Sequence, residues 1–304
     1  MYTKERLSQN SLQSKLFLYA LIAAAALLLP ACEEEDAAVP DNSIANYQLK
    51  AASFNIRFDN PDDGANNWHN RKEAVVAFLE AENMHIVGMQ EVLDNQFQFL
   101  KNKLRAYGTV GVGREDGVSK GEYAPVFYRK DAFVVRDSGT FWLSTTPQEP
   151  SVGWDAALER ICTYAILEDQ RNGREVHFYN THFDHVGENA RVNSARLIMD
   201  SIAAKSAGHW VILSGDLNVE PNATAYERVV QTGLQDSYEE SKVRLGPVGT
   251  FNGFNPNGNY QRRIDYVFVR GFSVELYETN NLSYNANFLS DHFPVITLLE
   301  YRPL

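Results

Sequence analysis

The sequence predicts an α/β protein in which two β-sheets pack on each other and helices cover them from outside. Two observations carry that expectation. From about residue 47 onward, short apolar or alternating runs read as roughly ten strands, while only a few stretches carry the three-to-four spacing of a helix face. That ratio does not suit a simple doubly wound sheet; it suits two packed sheets with outer helices. In addition, no interior Pro/Gly/Ser-rich linker interrupts 47–304, which is expected to be one domain.

The elements follow in order. Ala51-Ala52-Ser53-Phe54-Asn55-Ile56 reads as a strand. Trp68 to Asn83 places apolar residues at 74, 75, 78 and 79, one face of a helix. Ile86-Val87-Gly88-Met89 is a short buried strand, and Asp94 is placed to cap a helix carrying Phe97, Leu100 and Leu104. Val126-Phe127-Tyr128, Phe133 to Leu143 and Cys162 to Leu167 follow as strands. Asn172-Gly173 signals a hairpin from the strand ending at Glu168 to the one running from Glu175 to Asn180. Ala195, Ile198, Met199 and Ile202 make a helix face, Val211-Ile212-Leu213 a buried strand, and Tyr226, Val229 and Val230 a short helix closed by Gly233. Ile264 to Val269 and Pro294 to Leu299 are the last strands expected.

Composition narrows the class. The chain has 304 residues, 44% apolar and 22% charged, enough for a sizeable core. A formal net charge of -11 disfavours broad binding to duplex nucleic acid, which needs local Lys and Arg against phosphates. Two cysteines, Cys32 and Cys162, make no disulfide framework, and Cys162 reads as a small buried residue on a strand.

The N-terminus has its own logic. Residues 1–15 are polar with Lys4, Arg6 and Lys15, and Leu16 to Ala31 is apolar but short for a spanning helix. Leu29-Pro30-Ala31-Cys32 resembles the lipobox of bacterial lipoproteins, which implies a signal peptide over 1–31 and acylation of Cys32; a plain signal peptide or an uncleaved anchor is the alternative. Residues 32–46 read as a flexible acidic tether. The run Glu33-Glu34-Glu35-Asp36 resembles the surface-export tag of Bacteroidetes lipoproteins; otherwise it is a solvated linker. The expected location is the outer membrane, lipid-anchored, on its periplasmic or cell-surface side.

Chemistry-bearing residues recur at strand ends, where loops build sites: Asn55, Glu91, His182, Asp216 with Asn218, Asp265, and Asp291-His292. Carboxylates and amides are hard oxygen ligands suited to Mg²⁺ or Mn²⁺, whereas zinc prefers a Cys/His cage for which no spacing is evident. Two histidines with carboxylates to orient them suit proton transfer and stabilisation of phosphate charge. No P-loop and no Gly-x-Ser-x-Gly elbow is present.

The set Ser53-Phe54-Asn55-Ile56, Gln90-Glu91-Val92, Asn180-Thr181-His182, Gly215-Asp216-Leu217-Asn218, Ile264-Asp265-Tyr266 and Ser290-Asp291-His292-Phe293-Pro294 resembles the endonuclease/exonuclease/phosphatase superfamily over about residues 47–304. The resemblance implies a four-layer α/β sandwich, two packed, mostly antiparallel β-sheets flanked by helices. It implies Glu91 as principal metal ligand with Asn55 and Asp291 assisting. Asp216 orients or deprotonates the attacking water, Asn218 holds a phosphate oxygen, and His292 contacts the scissile phosphate, oriented by Asp265. His182 takes the second histidine position, with Glu122 paired to it, and Arg160 reaches the phosphate or is a surface salt-bridge residue. His185 lines the pocket or is a solvated loop residue. Trp68 and Trp154 read as core or lid residues rather than sugar or base platforms, and Phe251-Asn252-Gly253-Phe254-Asn255 as a pocket rim or a Gly/Asn-rich surface turn.

Two classes of function fit. One is a hydrolase, a phosphodiesterase of nuclease or exonuclease type or a phosphomonoesterase, acting outside the cytoplasm on nucleic acid, a phosphorylated sugar or an inositol phosphate. The other is a non-catalytic surface binding lipoprotein on the same scaffold; the complete polar set favours the enzyme. No obligate protein partner is evident, and the membrane is expected as a partner through the lipid. Cys32→Ser should therefore release the protein or leave an unprocessed precursor, read by fractionation and intact mass; an unchanged membrane fraction at the mature mass would contradict the anchor.

Overall fold

The structure, a computed structural model, describes residues 48–284 and 287–304. The expected signal peptide, the acidic tether and Cys32 lie outside the described residues. Among the described residues there are fifteen strands: β1 Gln48–Asn55, β2 Ile86–Gln90, β3 Tyr107–Val110, β4 Val126–Arg129, β5 Phe133–Trp142, β6 Ile161–Asp169, β7 Arg174–His182, β8 Trp210–Asp216, β9 Gln235–Asp236, β10 Arg244–Leu245, β11 Asp265–Arg270, β12 Phe272–Thr279, β13 Ser283–Tyr284, β14 Asn287–Phe288 and β15 Val295–Tyr301. The α-helices are α1 Trp68–Glu82, α2 Asp94–Lys103, α3 Glu188–Lys205, α4 Thr224–Val230 and α5 Ser237–Glu240.

These strands form a seven-stranded sheet in the order β10-β12-β15-β1-β2-β4-β3 and a six-stranded sheet in the order β5-β6-β7-β8-β11-β9. Both are mixed and mainly antiparallel; β1 with β2 and β7 with β8 are central parallel pairs. Period-two alternation then assigns each side chain to a layer. On β1, Leu49 and Ala51 face the second sheet, whereas Ala52 and Phe54 face α1 and meet Val75, Phe78 and Leu79. On β7, Val176 and Phe178 face the first sheet, and on β8 Val211 and Leu213 pack under Ile198, Met199 and Ile202 of α3. The layers are thus helix, sheet, sheet, helix, the four-layer sandwich expected.

The layer between the sheets changes character along its length. At one end it is apolar, with Leu49, Ala51, Ile86, Val176, Phe178, Ile212, Val267 and Val269. Further along the same faces stand Ser53, Gln90, Asn180 and Ser214, all buried. Asn180 Oδ1 accepts from Gln90 Nε2 at 2.7 Å and Ser214 Oγ at 3.0 Å, while its Nδ2 donates to Met89 O at 2.7 Å. This amide bridge joins the two sheets and satisfies groups that would be costly to bury unpaired. The approach is close enough that a Cβ on Gly88 would lie 2.1 Å from Ser214 Oγ. Glycine is therefore required in the middle of β2.

Several local expectations change. β3 and β12 were not expected; β12 alternates, but both of its faces are largely buried, and it lies between the two strands expected to be last. Asp94 is the first helical residue of α2 and not its cap; Gln96 Oε1 accepts from Leu93 N at 3.0 Å instead. The hairpin at Asn172-Gly173 forms with a longer loop, because the β6–β7 pairing ends at Asp169↔Arg174, and Gly173 takes φ 72 there. Cys162 is fully buried on β6, as expected.

Candidate active site

Strand register accounts for the meeting of residues far apart in sequence. In the six-stranded sheet His182 on β7 pairs with Asp216 on β8, and Asp216 pairs with Asp265 on β11, so the three stand in one row. Residues in one row point to the same side, roughly 4.8 Å apart between strands. In the seven-stranded sheet Asn55 ends β1 opposite Gln90, with Glu91 next in the chain. Both rows lie at the polar end of the inter-sheet layer. Three residues that turn the chain there, Arg57, Glu91 and Asn218, take φ of 60°, 60° and 52°. Left-handed backbone at non-glycine residues costs energy and gathers at functional sites.

Asp216 is the centre. It is buried, and its Oδ2 accepts from Asn55 Nδ2 at 3.0 Å while its Oδ1 accepts from Asn218 N at 2.9 Å. His182 Nε2 lies 3.6 Å and His292 Nε2 3.8 Å from that Oδ2. Burial, then the neighbouring Asp265 charge, raises the Asp216 pKa above the ordinary carboxylate value. His292 is gripped from its far side: its Nδ1 lies 2.8 Å from Asp265 Oδ2, which also accepts from Thr250 Oγ1 at 2.5 Å.

The two histidines are driven apart. Burial is the strongest influence on His292 and lowers its pKa, but Asp265, Asp216 and Asp291 together outweigh it and hold the ring well above 6.5. His182 is pushed down to about 3 by burial first and the Arg160 charge second. At neutral pH His292 is an imidazolium and His182 a neutral ring. With Asn218 Nδ2 at 3.1 Å from His182 Nε2, that nitrogen is the acceptor and Nδ1 carries the proton.

Glu91 and Asp291 supply the oxygen pair. Glu91 Oε1 accepts from Asn55 Nδ2 at 3.0 Å and its Oε2 from Phe58 N at 3.1 Å. Asp291 is raised in pKa by burial, with the Glu91 charge adding to the rise, so two carboxylates repel there. Arg57 lies between them, 3.9 Å from Glu91 and 3.8 Å from Asp291, while paired to Asp63. Hard oxygens, mutual repulsion and partial exposure fit a Mg²⁺ or Mn²⁺ ion at Glu91 and Asp291. Asn55 is turned otherwise than the resemblance implies: its Nδ2 spans Glu91 and Asp216, and its Oδ1 accepts from Arg57 N at 3.0 Å. The ligand atoms of Asp216, Asp265 and His292 also lie within 4.8 Å of one another. We read that trio as a His292–Asp265 ion pair beside the buried Asp216, because the Asp265 oxygen nearest the ring is already filled by His292 and Thr250.

The remaining expected residues form a rim. Glu122 and His182 face each other at 3.6 Å, too far for a hydrogen bond, because Arg114 takes both Glu122 oxygens at 2.8 and 3.0 Å. Arg114 was not anticipated; it sits on an irregular loop that carries no periodic signal. It lines a small pocket with Glu122, Arg160 and His182. Arg160 is buried, its Nε 3.4 Å from Asp184 Oδ1 and its Nη2 3.0 Å from His185 Nδ1. Its Nη1 has no hydrogen-bond partner among the described residues. His185 itself is largely exposed. Asn218 Nδ2 also donates to Phe183 O at 3.0 Å, so its amide is shared between backbone and His182. Trp68 is buried and Trp154 is exposed with φ 54. Phe251 bridges to His292 in the backbone, and Asn252 and Gly253 donate to Asp291 O at 2.8 and 3.0 Å, so the 251–255 loop props the His292 turn.

The profile of the Endonuclease/Exonuclease/phosphatase family matches residues 52–292. The chain is 41% identical to a solved endonuclease/exonuclease/phosphatase from Bacteroides vulgatus, covering 84% of this chain and 100% of that one with a TM-score of 0.82. It is 39% identical to a mannosyl-6-phosphatase from Bacteroides thetaiotaomicron, covering 83% and 99% with a TM-score of 0.80. A second family protein from Bacteroides thetaiotaomicron is 38% identical, covering 83% and 97% with a TM-score of 0.81.

The charge of His292 gives a signed prediction. Its folded pKa lies above the unfolded value near 6.5, so the stability it contributes is complete below about 6.5 and is lost as pH rises through the folded value. Activity that needs the imidazolium falls along the same alkaline limb. Asp265→Asn keeps a partner for the ring but removes the charge, so the limb should move to lower pH and turnover should drop, by up to about 10²–10³. An Asp265→Asn variant with wild-type turnover and an unshifted pH–rate profile would remove this pair from the chemistry.

Proposed function

The chain belongs to the endonuclease/exonuclease/phosphatase family, and from that premise we propose that it is a metal-dependent phosphomonoesterase of small phosphorylated sugars, working outside the cytoplasm on a lipid anchor. The observation that carries the chemistry is the buried Asp216 held between a cationic His292 and a neutral His182, beside the Glu91–Asp291 oxygen pair. Glu91 and Asp291 would hold a Mg²⁺ or Mn²⁺ ion, which would supply Lewis-acid polarisation of the phosphoryl group. Asp216, with its raised pKa, accepts a proton from the attacking water. His292 Nε2–H donates to a phosphoryl oxygen as negative charge builds, the kind of donor worth ~3–4 kcal/mol in a preorganised site. The complete set weighs against the non-catalytic binding lipoprotein.

The substrate class rests on the arginines and on a relative. Arg57 is paired to Asp63, Arg160 faces Asp184 and Arg191 Nη1 donates to Asp184 O at 2.9 Å. So few cations, two of them facing carboxylates, do not track a long phosphate backbone, and the chain's net charge of -11 opposes one. A protein 39% identical over nearly its whole length carries the name mannosyl-6-phosphatase. Both favour a terminal sugar phosphate over the nuclease reading.

The test is a panel of mannose 6-phosphate, other hexose phosphates, inositol phosphates, bis-p-nitrophenyl phosphate and single-stranded DNA, with and without Mg²⁺. Sugar monoesters should give the highest kcat/KM, EDTA should abolish activity, and Mg²⁺ or Mn²⁺ should restore it. Glu91→Gln should raise the metal concentration needed for half activity. Full activity in excess chelator would overturn the metal assignment; faster cleavage of DNA than of any monoester would overturn the substrate class.

A further inference from the structure

One polar cluster takes no part in the site above. Glu175 and His177 lie two residues apart on β7 and face the same side, the α3 side, opposite to Asn180 and His182. His209 stands just before β8, whose first residue pairs with Val176. His177 Nε2 lies 2.8 Å and His209 Nδ1 3.5 Å from Glu175 Oε1, and the three ligand atoms are within 4.8 Å of one another. The two imidazoles stack with ring centroids 4.4 Å apart. Glu175 Oε1 thus faces nitrogen atoms of two rings at once.

The other nitrogen of His177 is held. His177 Nδ1 is 2.8 Å from Ser206 Oγ, and Tyr179 Oη is 2.9 Å from that same oxygen. Ser206 is itself fixed by its N–H to Ile202 O at the end of α3. A ring nitrogen engaged in this way sets the orientation and tautomer of a metal-binding histidine. His177 Nε2 and Glu175 Oε1, 2.8 Å apart, share a proton in the metal-free chain, with Ser206 Oγ on the other ring nitrogen, and an ion that replaces that proton also reaches His209 Nδ1. A proton serves two of the three atoms; a metal ion serves all three.

We propose that Glu175, His177 and His209 bind a zinc-class divalent cation at a site separate from the catalytic centre. Two imidazoles and one carboxylate are a zinc donor set, with the fourth position open to water. The side chains of Glu175 and His209 are 36% and 39% exposed, so an ion and its water have access. Mg²⁺ prefers an all-oxygen shell and does not compete for this set. From Glu175 to His182 β7 runs roughly 23 Å at the usual rise per residue, on the other face of the sheet. The ion would tie the turn between α3 and β8 to β7 and stabilise the folded chain by linkage. The absence of a zinc-cage spacing in the sequence does not bear on it, because the third ligand arrives through the β7–β8 pairing.

The test is calorimetric titration of ZnCl₂ into the protein in excess Mg²⁺, with Tm measured alongside and Co²⁺ titrated separately for the visible bands of a four-coordinate site. Zinc should bind and raise Tm; Co²⁺ added to zinc-free protein should give those bands, and zinc added afterwards should displace it and remove them. His209→Ala should remove one equivalent of zinc, or weaken it by at least ~10–100-fold, and abolish the cobalt bands. Phosphate release in Mg²⁺ should stay at the wild-type rate in His209→Ala, which separates this site from the catalytic one. Equal zinc affinity and stoichiometry in wild type and His209→Ala, or no zinc binding at micromolar zinc, would overturn the proposal.

Discussion

Keeping a carboxylate at position 216 in the interior is the constraint around which the site is arranged. Asp216 is 1% exposed. A buried charge is tolerated only when paired and hydrogen-bonded, and removing a partner from such a group costs about 3–5 kcal/mol. Its partners come from across the fold: Asn55 from β1 of the other sheet, Asn218 from the turn after β8, His182 from β7 and His292 from the turn before β15. Asn55 and Asn218 donate to the carboxylate and the cationic His292 offsets its charge, whereas the neutral His182 packs beside it. The raised pKa of Asp216, on which its proposed role as a base rests, is a consequence of its burial.

The sheets deliver these partners by a gradient in one layer. Along β1 the inward positions read Leu49, Ala51, Ser53, Asn55; along β7 they read Val176, Phe178, Asn180, His182; along β8, Ile212, Ser214, Asp216. Apolar pairs clamp one end, the Asn180–Gln90 bridge holds the middle, and the chemistry sits where the strands stop. Hydrogen-bonded amides fix the sheet spacing more specifically than apolar packing alone, which tolerates sliding. The positive φ at Glu91 and Asn218 then turns the chain at the strand ends.

Much of this was legible in the sequence, and the failures have physical causes. The apolar period of α1 and α3 and the strand-end clustering of Asn55, Glu91, His182, Asp216, Asp265 and His292 are local signals, and the structure brings those residues to one edge. Register is not local. That Asp216 would share a row with both His182 and Asp265 depends on two pairings the chain does not announce. The resemblance placed Glu122 beside His182, but its capture by Arg114 was not readable, because that arginine lies in an aperiodic loop. β12 was not expected although Phe272-Ser273-Val274-Glu275-Leu276 alternates, because the alternation breaks at Tyr277 after only five residues. Gly88 read as an ordinary strand residue; the need for glycine there comes from the opposite sheet.

The central claim is that one buried carboxylate row holds two histidines, both beside Asp216, in opposite charge states. Histidine-resolved NMR titration of the ring nitrogens and carbons tests it most directly, with His182→Gln and His292→Gln spectra for assignment. The account predicts that His292 shows imidazolium shifts at neutral pH and titrates only on the alkaline side. It predicts that His182 stays a neutral ring, protonated at Nδ1, down to about pH 4, in keeping with a pKa of about 3. Both rings titrating together near the ordinary histidine value would contradict it.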